Sequence, residues 1–431
     1  SSNSNSNSNS NRNRYSNSNS NSNSNSDSNI NLNIKIAINI NITVNFNNNS
    51  LEIEPIEHSG KDDENIELYY HDKTFKSINK IIKKIKKEEK IKNFNVNGIG
   101  LRSDGLYGLP FTAEESETIA LAVPWDVTVS YASGTAQGPE AIFNASYQVD
   151  LLDPVVPEAW KKGIAMVQLP GDWLQKGKAL RKEAETIIQA LESGDSPQNP
   201  NLKHAYNTVE AGCHELHQTV ESACLQWLNK GKRVVLVGGD HSTPLGYLKA
   251  LSQQYPSFGI LQIDAHADLR ESYEGFCYSH ASIMYNALKI KAVERLVQVG
   301  IRDYCEEEAR RIAESEGRIV TFFDHALKRM QYAGDSWDRV CNRILASLPD
   351  RVYLSFDIDG LDPKLCPHTG TPVAGGFETE QLLYLIEKLV KSGKKIIGMD
   401  LNEVAPGPDD DWDANVAARL LYRMCNLMSC S

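Results

Sequence analysis

Eight short apolar runs, separated by longer stretches with helical periodicity, dominate the chain from residue 114 onward. They are Thr118–Val123, Ile164–Leu169, Arg233–Val237, Phe258–Ile263, Arg295–Val299, Arg318–Phe322, Val352–Phe356 and Lys395–Met399. Helical patterns fall between them at Ala179–Leu191, Ala211–Asn229, Glu306–Glu316, Ser336–Leu348 and Glu378–Lys391. Runs too short for helices and apolar on both faces are buried strands, and strands spaced by helices need the crossover connections of a parallel sheet. The spacing therefore predicts an α/β fold, a three-layer α/β/α sandwich with a central, mostly parallel sheet. No internal repeat is visible, which disfavours a solenoid.

The first hundred residues differ in kind. A Ser-Asn alternation fills 1–28 and offers almost no apolar surface to offset the entropy of ordering a backbone. Ile, Leu, Val and Phe then alternate with mostly Asn over 29–46, which is both a strand signal and a low-complexity signature. We read 1–50 as a disordered low-complexity segment and 51–113 as an N-terminal extension. The domain that carries the chemistry spans 114–431. Within the extension, TFKSINKIIKKIKKEEKIKNF places Phe75, Ile78, Ile81, Ile82 and Ile85 on one side of a basic amphipathic helix. Packing on its own protein is the reading favoured over contact with an anionic membrane surface.

Composition narrows the function classes. With 45 Lys+Arg against 56 Asp+Glu, the formal charge of −11 argues against a nucleic-acid partner, whose phosphates call for clustered cations. No apolar stretch approaches the roughly 20 residues of a membrane span. The eight cysteines contain no C-x-x-C pair, so reduced thiols in a cytoplasmic setting are expected.

Four strand candidates end in polar bursts. VVLVGGDHS closes with Asp240 and His241; FGILQIDAHAD gives Asp264, His266 and Asp268; VYLSFDIDGLDP gives Asp357, Asp359 and Asp362; IIGMDLNEVAP gives Asp400 and Glu403. On extended backbone, residues i, i+2 and i+4 share a face, so Asp264, His266 and Asp268 converge, as do Asp357 and Asp359. Ligands of open α/β sheets bind beyond the carboxyl ends of the strands. Carboxylates crowded there need a compensating cation. Six ligands without a Cys are too many for one tetrahedral zinc and suit Mn²⁺, with Ni²⁺ or Co²⁺ as alternatives. Bridging carboxylates would let them hold two ions about 3.5 Å apart.

GGDHS, DAHAD, SFDIDGLDP and NEVAP, in that order, resemble the signature blocks of the ureohydrolase (arginase/agmatinase) superfamily. The resemblance covers roughly Ile119 to Tyr422, with SYASGTAQGPEAIFNAS near its start and TGTPVAGGF after the third block. It implies an arginase-like fold, a binuclear manganese centre, and hydrolysis of a guanidinium group to urea and an amine. Carried over residue by residue, one ion would be held by His241, Asp264, Asp268 and Asp357. The other would be held by Asp264, His266, Asp357 and Asp359. Asp268 would also orient the attacking hydroxide, Glu403 would pair with the guanidinium, and His280 in YSHAS would carry the proton to the leaving amine.

The substrate is the open point of the sequence. DLRESYEG followed by SH is more like agmatinases than arginases, so agmatine, yielding putrescine and urea, is the expected small guanidino substrate. Glu274 is the acidic residue expected to meet its distal amine. Guanidinobutyrate or free guanidine is the alternative, with arginine, a catalytically inactive regulatory paralogue and a single-zinc deacetylase behind it. Cys277 and His368 are unfamiliar in this pattern, since close relatives usually carry a small residue at the second position; a loop role is the favoured reading for His368. The resemblance also implies a homo-oligomer, a trimer or hexamer.

Overall fold

The computed structural model describes residues 80–101 and 105–431, and in addition the backbone of three short strands between 34 and 55. The chain divides into two units, Ser1–Ile78 and Asn79–Ser431. In the first, β1 (Ile34–Lys35), β2 (Ile40–Asn45) and β3 (Ser50–Pro55) form an antiparallel sheet. Ile42 is in register with Ile53, and Val44 with Leu51. The strand signal in the Asn-rich tract thus has a counterpart over part of its length. The Ser-Asn segment lies outside the described residues.

The second unit is built on a sheet of eight strands, all parallel: β4 (Thr118–Val123), β5 (Ile164–Gln168), β6 (Arg233–Gly238), β7 (Phe258–Ile263), β8 (Val293–Ile301), β9 (Ile319–Phe323), β10 (Arg351–Asp357) and β11 (Lys395–Asn402), in the spatial order β5-β4-β6-β11-β10-β7-β8-β9. The eight apolar runs of the sequence are these eight strands. Successive side chains of one strand enter opposite cores. Val235 and Val237 pack with α2 (Gly138–Ser146), α9 (Trp337–Ala346), α10 (Thr379–Lys391) and α11 (Trp412–Met428). Val234 and Leu236 pack with α3 (Trp173–Glu192), α4 (Lys203–Leu228) and α5 (Leu245–Gln254). This is the expected three-layer sandwich, and its central strands β6, β11, β10 and β7 are those that end in the polar bursts.

The core also recruits residues upstream of the recognisable motifs: Leu106, Tyr107, Leu109 and Phe111 are buried. The described part of the basic helix, α1 at 80–93, lies on this unit. Lys87 donates to the Lys162 carbonyl at 2.7 Å, Lys90 pairs with Glu115 at 2.6 Å, and Ile91 and Phe94 pack against the core. Among the described residues, no helix is long and apolar enough to cross a membrane.

His217, fully buried on α4, is a titratable group in this core. Its Nε2 meets the Ser242 carbonyl at 3.2 Å, while Nδ1 has no hydrogen-bond partner. Burial above all, with Lys249 adding to it, pushes its pKa down to about 3. The unfolded chain takes up a proton on this ring below about pH 6.5 and the folded protein does not. Its contribution to stability is thus complete above that pH and is lost as the pH falls toward 3, with a slope of about 1.4 kcal/mol per pH unit. His217→Gln, which keeps a donor for Ser242, is expected to flatten the acid limb of a melting-temperature profile between pH 6.5 and 4. Parallel profiles for the two proteins would show that this ring is not the acid-sensitive group.

Candidate metal centre and active site

Two glycines bring the first motif into place. A Cβ on Gly239 would lie 1.9 Å from the Trp125 carbonyl oxygen, and one on Gly238 would lie 1.9 Å from Asn402 Oδ1. No side chain fits at either position, so the end of β6 runs tight against its neighbours and delivers His241 into the crevice.

His241, Asp264 and Asp357 form one group of ligand atoms within 4.8 Å of one another, and Asp264, His266 and Asp359 form a second. Asp264 belongs to both: its Oδ2 is 3.0 Å from His241 Nδ1 and its Oδ1 is 3.7 Å from His266 Nδ1. His266 Nδ1 is 2.9 Å from Asp359 Oδ2. Asp268 joins the first group, with Oδ2 at 3.0 Å from His241 Nδ1, and Asp357 Oδ2 completes it at 3.4 Å. Asp357 turns its Oδ1 away, where it accepts the Asp359 backbone N–H at 2.9 Å.

Nδ1 of His241 therefore points among three carboxylate oxygens yet has hydrogen-bond geometry to none of them, and Asp268 Oδ2 is likewise buried without a partner. Orphaned buried polar atoms are costly unless something else satisfies them. A lone pair directed among carboxylate oxygens is what a divalent cation requires, so these residues fit the group the sequence implied. Without a cation, protons carry the compensating charge. Burial, with the neighbouring Asp359 and Asp264, holds the Asp357 carboxyl well above the usual range. Burial and Asp264 bring Asp268 to about 7. Burial would raise Asp264 as well, but His241 and His266 pull it below its ordinary value.

A row of polar residues just below the ligands holds them in orientation. Asp400, Ser355, Gln262, Gln298 and Thr321 lie in register across β11, β10, β7, β8 and β9. Ser355 Oγ is 2.9 Å from His241 Nε2 and donates to Asp400 Oδ1 at 3.2 Å. Gln262 donates to Asp264 Oδ2 at 2.9 Å, Gln298 to the Gln262 amide oxygen at 2.7 Å, and Thr321 to Gln298 at 2.8 Å. Arg302 donates to the carbonyls of Asp359, Leu361 and Val373, tying the loop after β10 to the segment that follows it. Sequence reasoning named Asp400 without a role and missed the others. For Gln262, Gln298 and Ser355 the one signal was a lone polar residue inside an otherwise apolar run; Thr321 and Arg302 had none.

Glu403 is buried beside the cluster with a positive φ of 63°. Its Oε1 accepts the His241 backbone N–H at 2.8 Å. Burial, with Asp240 nearby, raises its pKa well above the usual carboxylate range. A cation beside it would reverse that shift. His280 opens the short helical turn His280–Ser282, and its Nδ1 is 3.3 Å from Ser279 Oγ. Burial and the imidazoles of His266 and His241 push it down to about 4, leaving a neutral ring at pH 7.

Glu274 occupies a different position. It and Gly275 have φ of 52° and 80° and are flanked by mutual hydrogen bonds between Tyr273 and Phe276, which makes them the central pair of a type I′ hairpin turn. Its carboxylate is raised by burial and by Glu192, and is lowered by Arg181, both on α3. No described contact joins it to the ligand cluster. His368 lies in the loop after β10, with Nδ1 2.8 Å from Asp413 Oδ1.

Fold and site together define an α/β/α protein that gathers two overlapping cation-type ligand groups at the carboxyl edge of a parallel sheet. A profile of the Arginase family matches residues 116–426, and the chain belongs to that family. It is similar to the N(1)-aminopropylagmatine ureohydrolase of Thermus thermophilus, with 32% identity over 73% of this chain and 91% of that protein. It is also similar to the agmatinase of Bacillus anthracis, with 30% identity over 72% and 91%. The fold matches the crystal structure of the agmatine ureohydrolase of Thermoplasma volcanium, with a TM-score of 0.59 at 23% identity over 80% of this chain and 98% of that one. The protein is thus a ureohydrolase of this family, a hydrolase acting on C–N bonds. The family is generally dependent on a binuclear metal centre.

Proposed function

We propose that this chain hydrolyses the guanidinium group of an amine-tailed small molecule, converting agmatine to putrescine and urea with two Mn²⁺ ions per subunit. The observation that carries the reading is Asp264, shared between two ligand groups, one of which surrounds an unpartnered His241 Nδ1. His241, Asp264, Asp268 and Asp357 would hold one ion, and Asp264, His266, Asp357 and Asp359 the other. When bound, such a pair supplies Lewis acidity and brings the pKa of water down to about 7.

The protein's own groups do the rest. Asp268, held by its φ of 54° at the rim of the first group, orients the attacking water by accepting its hydrogen bond. Glu403 receives guanidinium N–H groups on the carboxylate oxygen not used by His241, matching the planar cation with a fixed charge. His280, neutral at pH 7, takes up a proton and returns it to the nitrogen that leaves with the alkyl chain. Water adds to the guanidinium carbon, the C–N bond to the alkyl chain breaks, and urea and the amine depart.

N(1)-aminopropylagmatine is a second reading, favoured by the name of the Thermus relative. Urea release should be measured from agmatine, N(1)-aminopropylagmatine, guanidinobutyrate, guanidine and arginine, with Mn²⁺, Ni²⁺ or Co²⁺ loaded and metal content determined in parallel. Agmatine is expected to be preferred with two ions per chain. A preference for an anionic tail or for free guanidine overturns the substrate, and one ion per chain overturns the mechanism. If Glu274 meets the distal amine, Glu274→Gln raises KM for agmatine by about two- to fivefold, the range of a partly exposed charge pair. An equal change for guanidine, which has no tail, would exclude that role.

A further inference from the structure

His368 and Asp413 lie outside the ligand cluster, and no step above uses them. His368 belongs to the loop 366–376, while Asp413 is buried in the first turn of α11. Both carboxylate oxygens of Asp413 are taken by this one residue: Oδ2 accepts the His368 backbone N–H at 2.9 Å, and Oδ1 lies 2.8 Å from Nδ1. A carboxylate at that distance keeps the proton on Nδ1 whether the ring is neutral or charged, so the contact is a closed two-point latch. Asp410 brings a third ligand-type group within 4.8 Å. With Nδ1 protonated, however, the ring directs no lone pair toward the two carboxylates, and the group is a hydrogen-bonded brace, not a cation site.

The next residues of the loop reach Glu403. Thr369 Oγ1 donates to the Glu403 carbonyl at 2.8 Å, and a Cβ on Gly370 would lie 3.8 Å from Glu403 Oε2. Glu403 has a left-handed backbone, a conformation that persists only where its surroundings over-determine it. Three bonds do so: its N–H to the Gly239 carbonyl at 2.9 Å, its Oε1 to the His241 N–H, and Thr369 on its carbonyl. Gly239 and His241 belong to the tight turn after β6, whereas Thr369 comes from the long loop after β10, which His368 pins to α11.

We propose that the Asp413–His368 latch is a positioning device for Glu403. It fixes Thr369 and Gly370 so that the Glu403 carboxylate waits where a guanidinium arrives. The activity readout rests on the guanidino-hydrolase reading above. Glu403 would grip the guanidinium alike in ground and transition states, so loosening it appears as a change in KM more than in kcat.

The test uses the full chain loaded with Mn²⁺ and compares His368→Ala with His368→Asn, whose amide can still donate to Asp413 Oδ1. Kinetics on agmatine, metal content, and hydrogen exchange of peptides spanning Thr369 and Glu403 are the readouts. His368→Ala is expected to raise KM by about tenfold with kcat within about twofold, to keep both ions, and to speed exchange at Glu403. His368→Asn returns KM to within about threefold of the unchanged protein. An unchanged KM in His368→Ala, loss of metal, or equal damage in both variants overturns the proposal. Should His368→Ala not fold, Thr369→Val removes only the hydroxyl that reaches Glu403 and is expected to raise KM in the same way. If the unchanged protein hydrolyses no guanidino compound, the function reading fails, and exchange at Glu403 in the free protein still decides whether the brace exists.

Discussion

Asp264→Asn abolishes urea release for practical purposes: kcat/KM is expected to fall by about 10³- to 10⁴-fold, equivalent to about 4–5.5 kcal/mol of lost transition-state stabilisation. Asp264 is the one side chain common to both ligand groups. Its Oδ1 also accepts the His266 N–H at 2.6 Å and its Oδ2 the Gln262 amide at 2.9 Å. Asn preserves the shape but replaces one acceptor by a donor, so one of those two bonds is lost at a cost of about 1 kcal/mol. Removal of the shared negative charge is the larger effect, because it weakens both sites together. Thermal stability separates the two. Adding Mn²⁺ stabilises the unchanged protein through binding to the folded state only, and the variant is expected to show little of that gain. Without metal, it is expected to melt somewhat below the unchanged protein, since it loses one hydrogen bond and the pairing with His241 and His266 that holds the Asp264 carboxylate ionised. Gln262→Leu, which leaves the ligands in place but removes the donor to Asp264 and to the His266 carbonyl and the acceptor of Gln298, should cost about 10- to 100-fold in metal affinity or activity. An Asp264→Asn variant that retains two ions and more than a tenth of the activity would show that Asp264 does not bridge.

The frame of this site was legible in sequence because its signals are local. An apolar run that ends in Asp-Ala-His-Ala-Asp states both a strand and the end at which its ligands stand, although the motif itself lies beyond β7 and Asp268 has left the extended conformation that a shared strand face would need. The layer that supports those ligands was not legible, because it exists only through register. Gln262 and Gln298 lie far apart in the chain, and nothing short of β7 pairing with β8 places one amide under the other. Helix α11 also escaped notice, although it is as amphipathic as α3 and is buried along most of its length. Glu274 has a local signal of another kind: it is acidic, near His280 in sequence, and sits in a type I′ turn where Glu192 and Arg181 of α3 act on its carboxyl, so the Glu274→Gln kinetics proposed above decide its role. The left-handed backbones of Asp268 and Glu403 had no sequence signal, since neither is the Gly or Asn that usually marks one.

Glu403→Gln is expected to have the second-largest effect, and of a different kind. The substitution keeps an oxygen to accept the His241 N–H, so the first ligand group should stand and both ions should remain bound. What disappears is the fixed negative charge opposite the guanidinium. Removing one partner of a buried, hydrogen-bonded charge pair costs about 2–5 kcal/mol, or roughly 30- to 5,000-fold in kcat/KM. Most of that should be expressed in KM, because the guanidinium is already cationic when it binds. The pH dependence should not change with it. Burial and Asp240 raise the Glu403 carboxyl in the metal-free protein, and bound cations reverse that shift. In the loaded enzyme Glu403 is therefore ionised, and the pH dependence of KM near pH 7 is expected to be alike in the Gln variant and the unchanged protein. Steady-state kinetics on agmatine across pH, with metal content measured on the same samples, checks both. A variant that loses its ions would assign Glu403 to holding His241 instead, and one whose KM stays unchanged would leave the guanidinium without its anion.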